Sequence, residues 1–292
     1  MALTVSTLDR FSLEQVEAFH RDGFLIVEEG FVPEAGLAVL RERFQRIFDG
    51  DYETGIKPDE VNWIPGRDRE DVTRQICNGW RADTVIAAQV LSERTGRLAS
   101  QLMDWRGARI LQDNVLWKPP GTRSIGMHQD GSFAGYLVPP VMVTCWVALD
   151  DTQAGAGTLE YVRGSHRWPK APPLRSQFHA PEDWLEGLHA AAPPGEEVEI
   201  VPVVVKAGGC SFHHNLTWHG SASNTSADVT RRALVSHMLA VETRFHPENV
   251  DLIYSRYRRH GDLSMDESFF PVLWDEAGGR TAWLSELPAL PT

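Results

Sequence analysis

Cysteine is scarce in this chain of 292 residues, and the three present, Cys77, Cys145 and Cys210, lie far apart without a C-x-x-C spacing. A disulfide framework and a cysteine-held structural zinc are both disfavoured, and reduced thiols in a cytoplasmic protein are expected. Positive charge is also short: 28 Lys and Arg stand against 40 Asp and Glu, a net charge of -12. Phosphates would be repelled by such a surface, so nucleic acid is not an expected partner. Long apolar runs are missing as well. The most apolar, "PVMVTCWVAL" (140–149), is too short to span a bilayer as a helix. The first residues, "MALTVSTLDRFSLEQ", lack the basic and apolar regions of a signal peptide. No internal repeat or low-complexity stretch is visible. What remains is an ordinary globular composition, 42% hydrophobic and 23% charged, with ample material for a core.

The chain reads as a single domain, 1–292, in three parts: a helical N-terminal part to about 106, a β core over about 107–245, and a C-terminal packing tail. Ser12 and Gln15 form a capping box for a helix that Gly23 ends. "FLIVEEGFV" follows as a short extended segment. Pro33 suits the first turn of a second helix, with Leu37, Leu40, Phe44, Ile47 and Phe48 on one face and Gly50 as its stop. Residues 51–74, rich in Gly, Pro, Asp and Arg, read as a loop. The segment 82–105 is helical again, with a break near Ser92. From about 107, short apolar runs bounded by Gly and Pro indicate an antiparallel sandwich or barrel. They include "ARILQDNVLWKPPG", "VMVTCWVALDD", "GTLEYVRGSH", "CSFHHNLTWHG" and "RRALVSHMLAV". The 171–197 stretch is a long insertion between strands, and aromatics in the tail are expected to pack back on the body.

Within "GMHQDGSF" (126–133), His128 and Asp130 stand two apart, so on a strand both point the same way. Alone, such a pair marks an exposed polar stretch far more often than a metal, since His and Asp are common at surfaces. His219, far downstream in "NLTWHGSASN", would complete a 2-His-1-carboxylate set, the facial arrangement that holds non-haem Fe(II) with open positions. Twelve residues later, Arg231 and Arg232 lie inside an apolar strand. A buried guanidinium needs an anion, either a carboxylate ligand or a protein Asp or Glu. His213 and His214 alternate faces of a strand, so one can approach the cleft. His166 reads as structural, and His237 as packed or exposed rather than metal-bound.

Taken together, "EQVEAFHRDGFLIVEEGFV", "WKPPG", "MHQDGSF", "VTCWVALDD", "GTLEYVRGSH" and "WHGSASN…RRAL" resemble, in order and over most of residues 12–240, the phytanoyl-CoA dioxygenase family of Fe(II)/2-oxoglutarate-dependent oxygenases. The resemblance implies a mainly β fold with flanking helices, a double-stranded β-helix (jelly roll, cupin-like). It implies His128, Asp130 and His219 as iron ligands and 2-oxoglutarate and O2 as cosubstrates. Arg231 and the Ser221 hydroxyl would hold the far carboxylate of 2-oxoglutarate, with Arg232 a competitor one residue away. Trp146, Asn114 and Gln129 would line the cosubstrate pocket. Relatives of this type suggest a small-molecule substrate, such as a polyketide or a sugar-containing antibiotic, and the carboxylate at 130 disfavours halogenation. A non-redox cupin-like metalloenzyme and a non-catalytic barrel are the rival readings. Phe133, Tyr136, Trp80 and Trp63 are candidate substrate contacts on loops near the barrel mouth. The loops 51–80 and 171–197 are expected to close over the metal face. Oligomeric state is not legible in the sequence.

Overall fold

In the computed structural model, residues 9–28, 30–173, 178 and 180–291 are described. Helix α1 (Leu13–Asp22) begins where expected: the Gln15 amide donates to Ser12 Oγ at 3.2 Å and the Ser12 amide to Gln15 Oε1 at 2.9 Å. Gly23 stops it with φ at 84°, a left-handed conformation that glycine adopts without a Cβ penalty. Strand β1 (Phe24–Val27) follows, then α2 (Glu34–Phe48), whose N-cap is Pro33. It ends at Phe48, with Asp49 rather than Gly50 at the C-cap. Ser92 divides the third helical stretch into α3 (Thr84–Val90) and α4 (Glu93–Met103), and its hydroxyl accepts the Thr95 amide.

The expected loop over 51–74 needs correction. It contains β2 (Glu60–Val61) and runs into β3 (Arg74–Cys77). With β1, these strands place three pieces of the helical N-terminal part inside the main sheet. Two and four residues are too few to show an alternation, and the β3 residues Arg74 and Gln75 carry no apolar signal. The 107–245 region supplies β4 (Gly107–Lys118), β5 (Ile125–His128), β6 (Leu137–Val138), β7 (Val143–Ala148) and β8 (Glu160–Val162). Next come α5 (Glu186–Ala191), β9 (Ile200–Pro202), β10 (Cys210–His214), β11 (His219–Ser221), β12 (Arg231–Ala240) and β13 (Arg244–Phe245). A last strand, β14 (Val272–Asp275), lies in the tail.

The strands form a large antiparallel sheet, β1-β10-β7-β12-β4-β3-β2 with β14 also on β4, and a smaller one, β5-β11-β8-β9. β6 and β13 make a separate pair. The two sheets face each other as a double-stranded β-helix. Alternation along β4 decides what goes where. Val115 joins the apolar layer that α2, α3 and α4 place on the outer face, which includes Leu40, Phe44, Ile86 and Leu98. Leu116 joins Trp146, Tyr161 and Val235 between the sheets. The tail packs back as expected: Tyr254, Met265 and Phe270 cluster with Leu111, Leu239 and Phe245 at one end of the barrel. No helix among the described residues is long and apolar enough to cross a membrane.

Candidate active site

His128 is the last residue of β5 and His219 the first of β11, and the two are register partners across those strands. Gly220 permits the approach: a Cβ there would lie 2.9 Å from the Ile125 carbonyl and 3.0 Å from the Met127 nitrogen. Gln129 continues the extended backbone of β5 (φ -118°, ψ 126°) before Asp130 opens a short 3-10 turn, so the two-residue alternation survives just past the strand. The three donor atoms of His128, Asp130 and His219 lie within 4.8 Å of one another, and no other metal-competent group of three occurs among the described residues. Asp130 Oδ1 is 3.7 Å from His128 Nε2 and 3.5 Å from His219 Nε2.

Each donor is prepared from behind. The Nδ1 of His128 meets the Gly126 carbonyl at 2.9 Å, and that of His219 meets the Thr217 carbonyl at 2.9 Å. A carbonyl only accepts, so both Nδ1 atoms carry the proton and both Nε2 lone pairs face the centre. On Asp130 the other oxygen, Oδ2, accepts from Thr144 Oγ1 at 3.0 Å and from His213 Nε2 at 3.2 Å. That leaves Oδ1 for a third partner. Burial pushes the His128 imidazole down to about 3, with His219 adding to the effect, so it is neutral at ordinary pH. Burial also works to raise the Asp130 carboxyl, but the imidazoles of His219 and His237 outweigh it and hold the group well below the usual carboxylate range. Burial works to lower the His219 imidazole, but Asp130 outweighs it and raises the group above its ordinary value, so a metal there would displace a proton from it. Two imidazole nitrogens and a carboxylate oxygen suit a borderline divalent metal such as iron(II).

Deeper between the sheets lies a cationic end. Arg231, 3% exposed, donates from Nε to the Gly157 carbonyl at 3.0 Å. Among the described residues no carboxylate lies within the 4.0 Å of an ion pair. Arg232 is spent: its Nε and terminal nitrogen donate to the two oxygens of Asp150 at 2.9 and 2.6 Å. Burial brings the Arg231 guanidinium down to about 10, partly offset by Asp150, so it stays charged at neutral pH. Lys118, fully buried, donates to Ser221 Oγ at 2.7 Å and to the Ala222 carbonyl at 2.6 Å. Burial, with Arg231 beside it, pushes this ammonium well below its ordinary value. The indole nitrogen of Trp146 and Oδ1 of Asn114 are buried without a partner, and the Arg231 guanidinium carbon lies 5.9 Å from a Trp146 ring centroid. Buried polar groups are normally satisfied. An orphaned indole N–H beside a guanidinium that meets no carboxylate among the described residues fits a dicarboxylate, which accepts from both; the Asn114 oxygen only accepts and is not satisfied by one.

Lys118 and Thr144 are not among the site residues expected from the sequence. Of His213 and His214, the one that approaches the cleft is His213, and His237, expected to be packed or exposed, also reaches it. The inward alternation Asn114, Leu116, Lys118 along β4 is a signal that could have found the lysine. Others depart from expectation. Gln129 does not line the cosubstrate pocket: its amide donates to the Leu216 carbonyl and accepts from the Ala171 nitrogen, each at 2.8 Å. As the residue between two inward side chains it points the other way. Trp63 and Trp80 lie on the outer face of the main sheet, so neither reaches the site. Trp63 packs on Phe48 and under the Arg74 guanidinium, and Trp80 stacks on Trp283 with centroids 5.7 Å apart. Tyr136 is core as well, stacked on Tyr254 at 6.2 Å.

Phe133 does border the site, in a crevice beside His128 that Gln129, Ser132, Ala171, Pro172 and Trp218 also line. Of the two loops expected over the metal face, 51–80 packs outside. From 171–197, Phe178 sets its ring edge-on to His128, 5.1 Å between centroids, and lies 5.9 Å from Phe133. Residues 174–177 and 179 of that loop lie outside the described residues. His166 is structural, its Nε2 on the His20 carbonyl at 3.1 Å.

A family model described as phytanoyl-CoA dioxygenase (PhyH) matches residues 19–233. The phytanoyl-CoA dioxygenase domain-containing protein 1 of Danio rerio is 33% identical over 153 residues, 48% of each chain, so the match spans about half of that relative. Among solved structures, the carbocyclase SnoK from nogalamycin biosynthesis, described as non-haem and alpha-ketoglutarate-dependent, superposes with a TM-score of 0.70 at 22% identity. That match covers 92% of this chain and 98% of SnoK. The corresponding epimerase SnoN gives 0.69 at 21%, over 89% and 97%. At such identity these two share the fold.

Proposed function

This chain belongs to the phytanoyl-CoA dioxygenase family, and from that premise we propose that it oxidises a small molecule with iron(II) held by His128, Asp130 and His219 and 2-oxoglutarate as cosubstrate. One observation carries the reading. Two Nε2 atoms and one carboxylate oxygen converge within 4.8 Å, while the opposite polar atom of each side chain is tied to the protein. Iron and 2-oxoglutarate bound there supply oxidative decarboxylation coupled to oxidation of a C–H bond by O2. The residues supply placement. Arg231 offers its guanidinium fork to the far carboxylate, with Ser221 and Lys118 beside it; Trp146 and Asn114 border the space between. A cupin-like isomerase would leave that buried guanidinium with nothing to hold.

Phe133 and Phe178 make the wall next to His128 apolar, and the 171–197 loop acts as the cover. The crevice beside His128 has no room for even a water molecule, against the roughly 300 Å³ at which ligand pockets begin, so on this reading the cover has to open to admit substrate. A dry, closed site protects the reaction from solvent. By analogy with SnoK and SnoN, which are described as nogalamycin biosynthesis enzymes, the substrate class we favour is a bulky secondary metabolite such as a polyketide or sugar-containing antibiotic. Three buried free cysteines accord with a reducing, cytoplasmic setting. The test is anaerobic addition of Fe(II) and then 2-oxoglutarate: a weak visible charge-transfer band that needs both supports the reading, and its absence overturns it.

A further inference from the structure

Three adjacent strands of the main sheet present one cross-strand rung to Asp130. His213 on β10 is the register partner of Thr144 on β7, and Thr144 is the partner of His237 on β12. All three side chains reach the same oxygen, Asp130 Oδ2: His213 Nε2 at 3.2 Å, Thr144 Oγ1 at 3.0 Å and His237 Nδ1 at 3.5 Å. Opposite them, the small sheet presents its own rung, in which His219 is the partner of both His128 and Tyr161. The carboxylate sits between the rungs, with Oδ1 toward the two histidines of the small sheet.

We propose that His213 is a positioning residue whose Nε2–H, together with the Thr144 hydroxyl, reserves Asp130 Oδ2 and so commits the carboxylate to bind metal through Oδ1 alone. The inference rests on the reading of His128, Asp130 and His219 as the metal site. Its consequence is a matter of counting. A carboxylate gripping metal through both oxygens would occupy four positions with the two histidines, whereas one through a single oxygen occupies three. Held this way, a six-coordinate ion would keep room for a chelating 2-oxo acid and for O2.

His213 can do this only in one tautomer, and the structure sets it. Tyr161 Oη lies 3.0 Å from His213 Nδ1 and 2.8 Å from Ser211 Oγ. The ionised Asp130 oxygen only accepts, so the proton sits on Nε2, and Nδ1 is left to accept from the Tyr161 hydroxyl, which Ser211 can in turn serve as a donor. His237 serves the rung from the other end. Its Nε2 lies 3.0 Å from Asn114 Nδ2, which can only donate, so its Nδ1 carries a proton and donates to Thr144 Oγ1 at 2.9 Å. The threonine hydroxyl is thereby turned to donate to Asp130. Partners of metal-binding side chains typically contribute 10- to 100-fold in metal affinity.

The test uses Co(II) as the probe, added to the metal-free full chain, with affinity and visible d–d spectrum as readouts and melting of the metal-free protein measured in parallel. His213→Phe should weaken Co(II) binding about 10-fold or more and alter the spectrum as Oδ2 becomes free to coordinate. His213→Gln, which keeps a donor amide at the same reach, should stay within about threefold of wild type. Tyr161→Phe, which loosens the tautomer without touching Asp130, should fall between them. Should His213→Phe fail to fold, Thr144→Val removes the other donor to Oδ2 and must shift the spectrum in the same direction. Equal Co(II) affinity and spectrum in wild type and His213→Phe would overturn the proposal. Equal weakening in His213→Phe and His213→Gln would overturn it too, because the imidazole would then be a ligand. A wild-type protein that binds no Co(II) at this site instead removes the metal reading itself.

Discussion

The Arg232 guanidinium donates two hydrogen bonds to Asp150, at 2.9 and 2.6 Å to its two oxygens, and this pairing separates Arg231 from the neighbour that competes with it in the sequence. One residue of strand alternation turns Arg232 toward a protein carboxylate and Arg231 between the sheets. Removing Arg231 takes a charge-assisted fork from a ligand; removing Arg232 takes one from the protein. Arg231→Ala should raise the KM for 2-oxoglutarate by roughly 10- to 100-fold, the worth of one hydrogen bond to a charged group. Arg232→Ala should leave that KM within about threefold but lower stability by about 1–2 kcal/mol, since Asp150 loses the guanidinium and keeps only the residue 232 amide at 2.8 Å and Arg41 at 3.6 Å. Steady-state kinetics and denaturant melts on both variants check this, and the reverse pattern refutes the assignment.

His219→Ala should abolish iron retention, because it removes an Nε2 whose direction is set by the Thr217 carbonyl. Fold should persist, as the imidazole is a metal-facing group rather than part of an apolar cluster. Metal content after gel filtration, with circular dichroism alongside, measures both; full iron occupancy in the variant would remove the triad.

Trp80→Ala should cost about 3–5 kcal/mol in stability, the usual range for a buried indole, and leave metal and 2-oxoglutarate affinity unchanged. Its ring stacks on Trp283 on the outer face of the main sheet. Phe178→Ala, at 40% exposure, should barely move stability. With the cover weakened, it should raise decarboxylation of 2-oxoglutarate uncoupled from substrate oxidation. Succinate formed without added substrate is the readout; an effect from Trp80→Ala but not from Phe178→Ala would reverse the placement of the two loops.

Asp113 gives a pH dependence. Burial raises its carboxyl to about 7 against the pull of the Trp80 and Gly79 amides, and its Oδ2 has no partner. The folded protein therefore holds this proton where the unfolded chain, near 4, has released it. Stability from this group is complete below about pH 4, declines as pH rises toward 7, and is flat above. Asp113→Asn keeps an acceptor for the Trp80 amide and removes the titration, so its stability should fall less between pH 4.5 and 8. The difference is on the order of 2–4 kcal/mol at most. Denaturant unfolding at the two pH values measures it; parallel profiles would exclude Asp113.

The sequence by itself determined the features carried by short-range rules. A cap box and a left-handed glycine set the ends of α1, and Ser92 set the break between α3 and α4, because those are contests among neighbouring backbone groups. Two-residue alternation placed His128 and Asp130 together, and the ordered motifs carried the family. Tertiary structure decided what depends on pairing across strands. The rung of His213, Thr144 and His237 joins residues up to 93 positions apart, and only strand register brings them to one carboxylate oxygen. Register also sent Gln129 toward Ala171 and Leu216 and put Lys118 beside Ser221. The same holds for the aromatics: Trp63, Trp80, Phe133 and Phe178 look alike as loop residues. Which face of a sheet each loop crosses is settled by where the helices cover it, and that is a long-range contest no local pattern records.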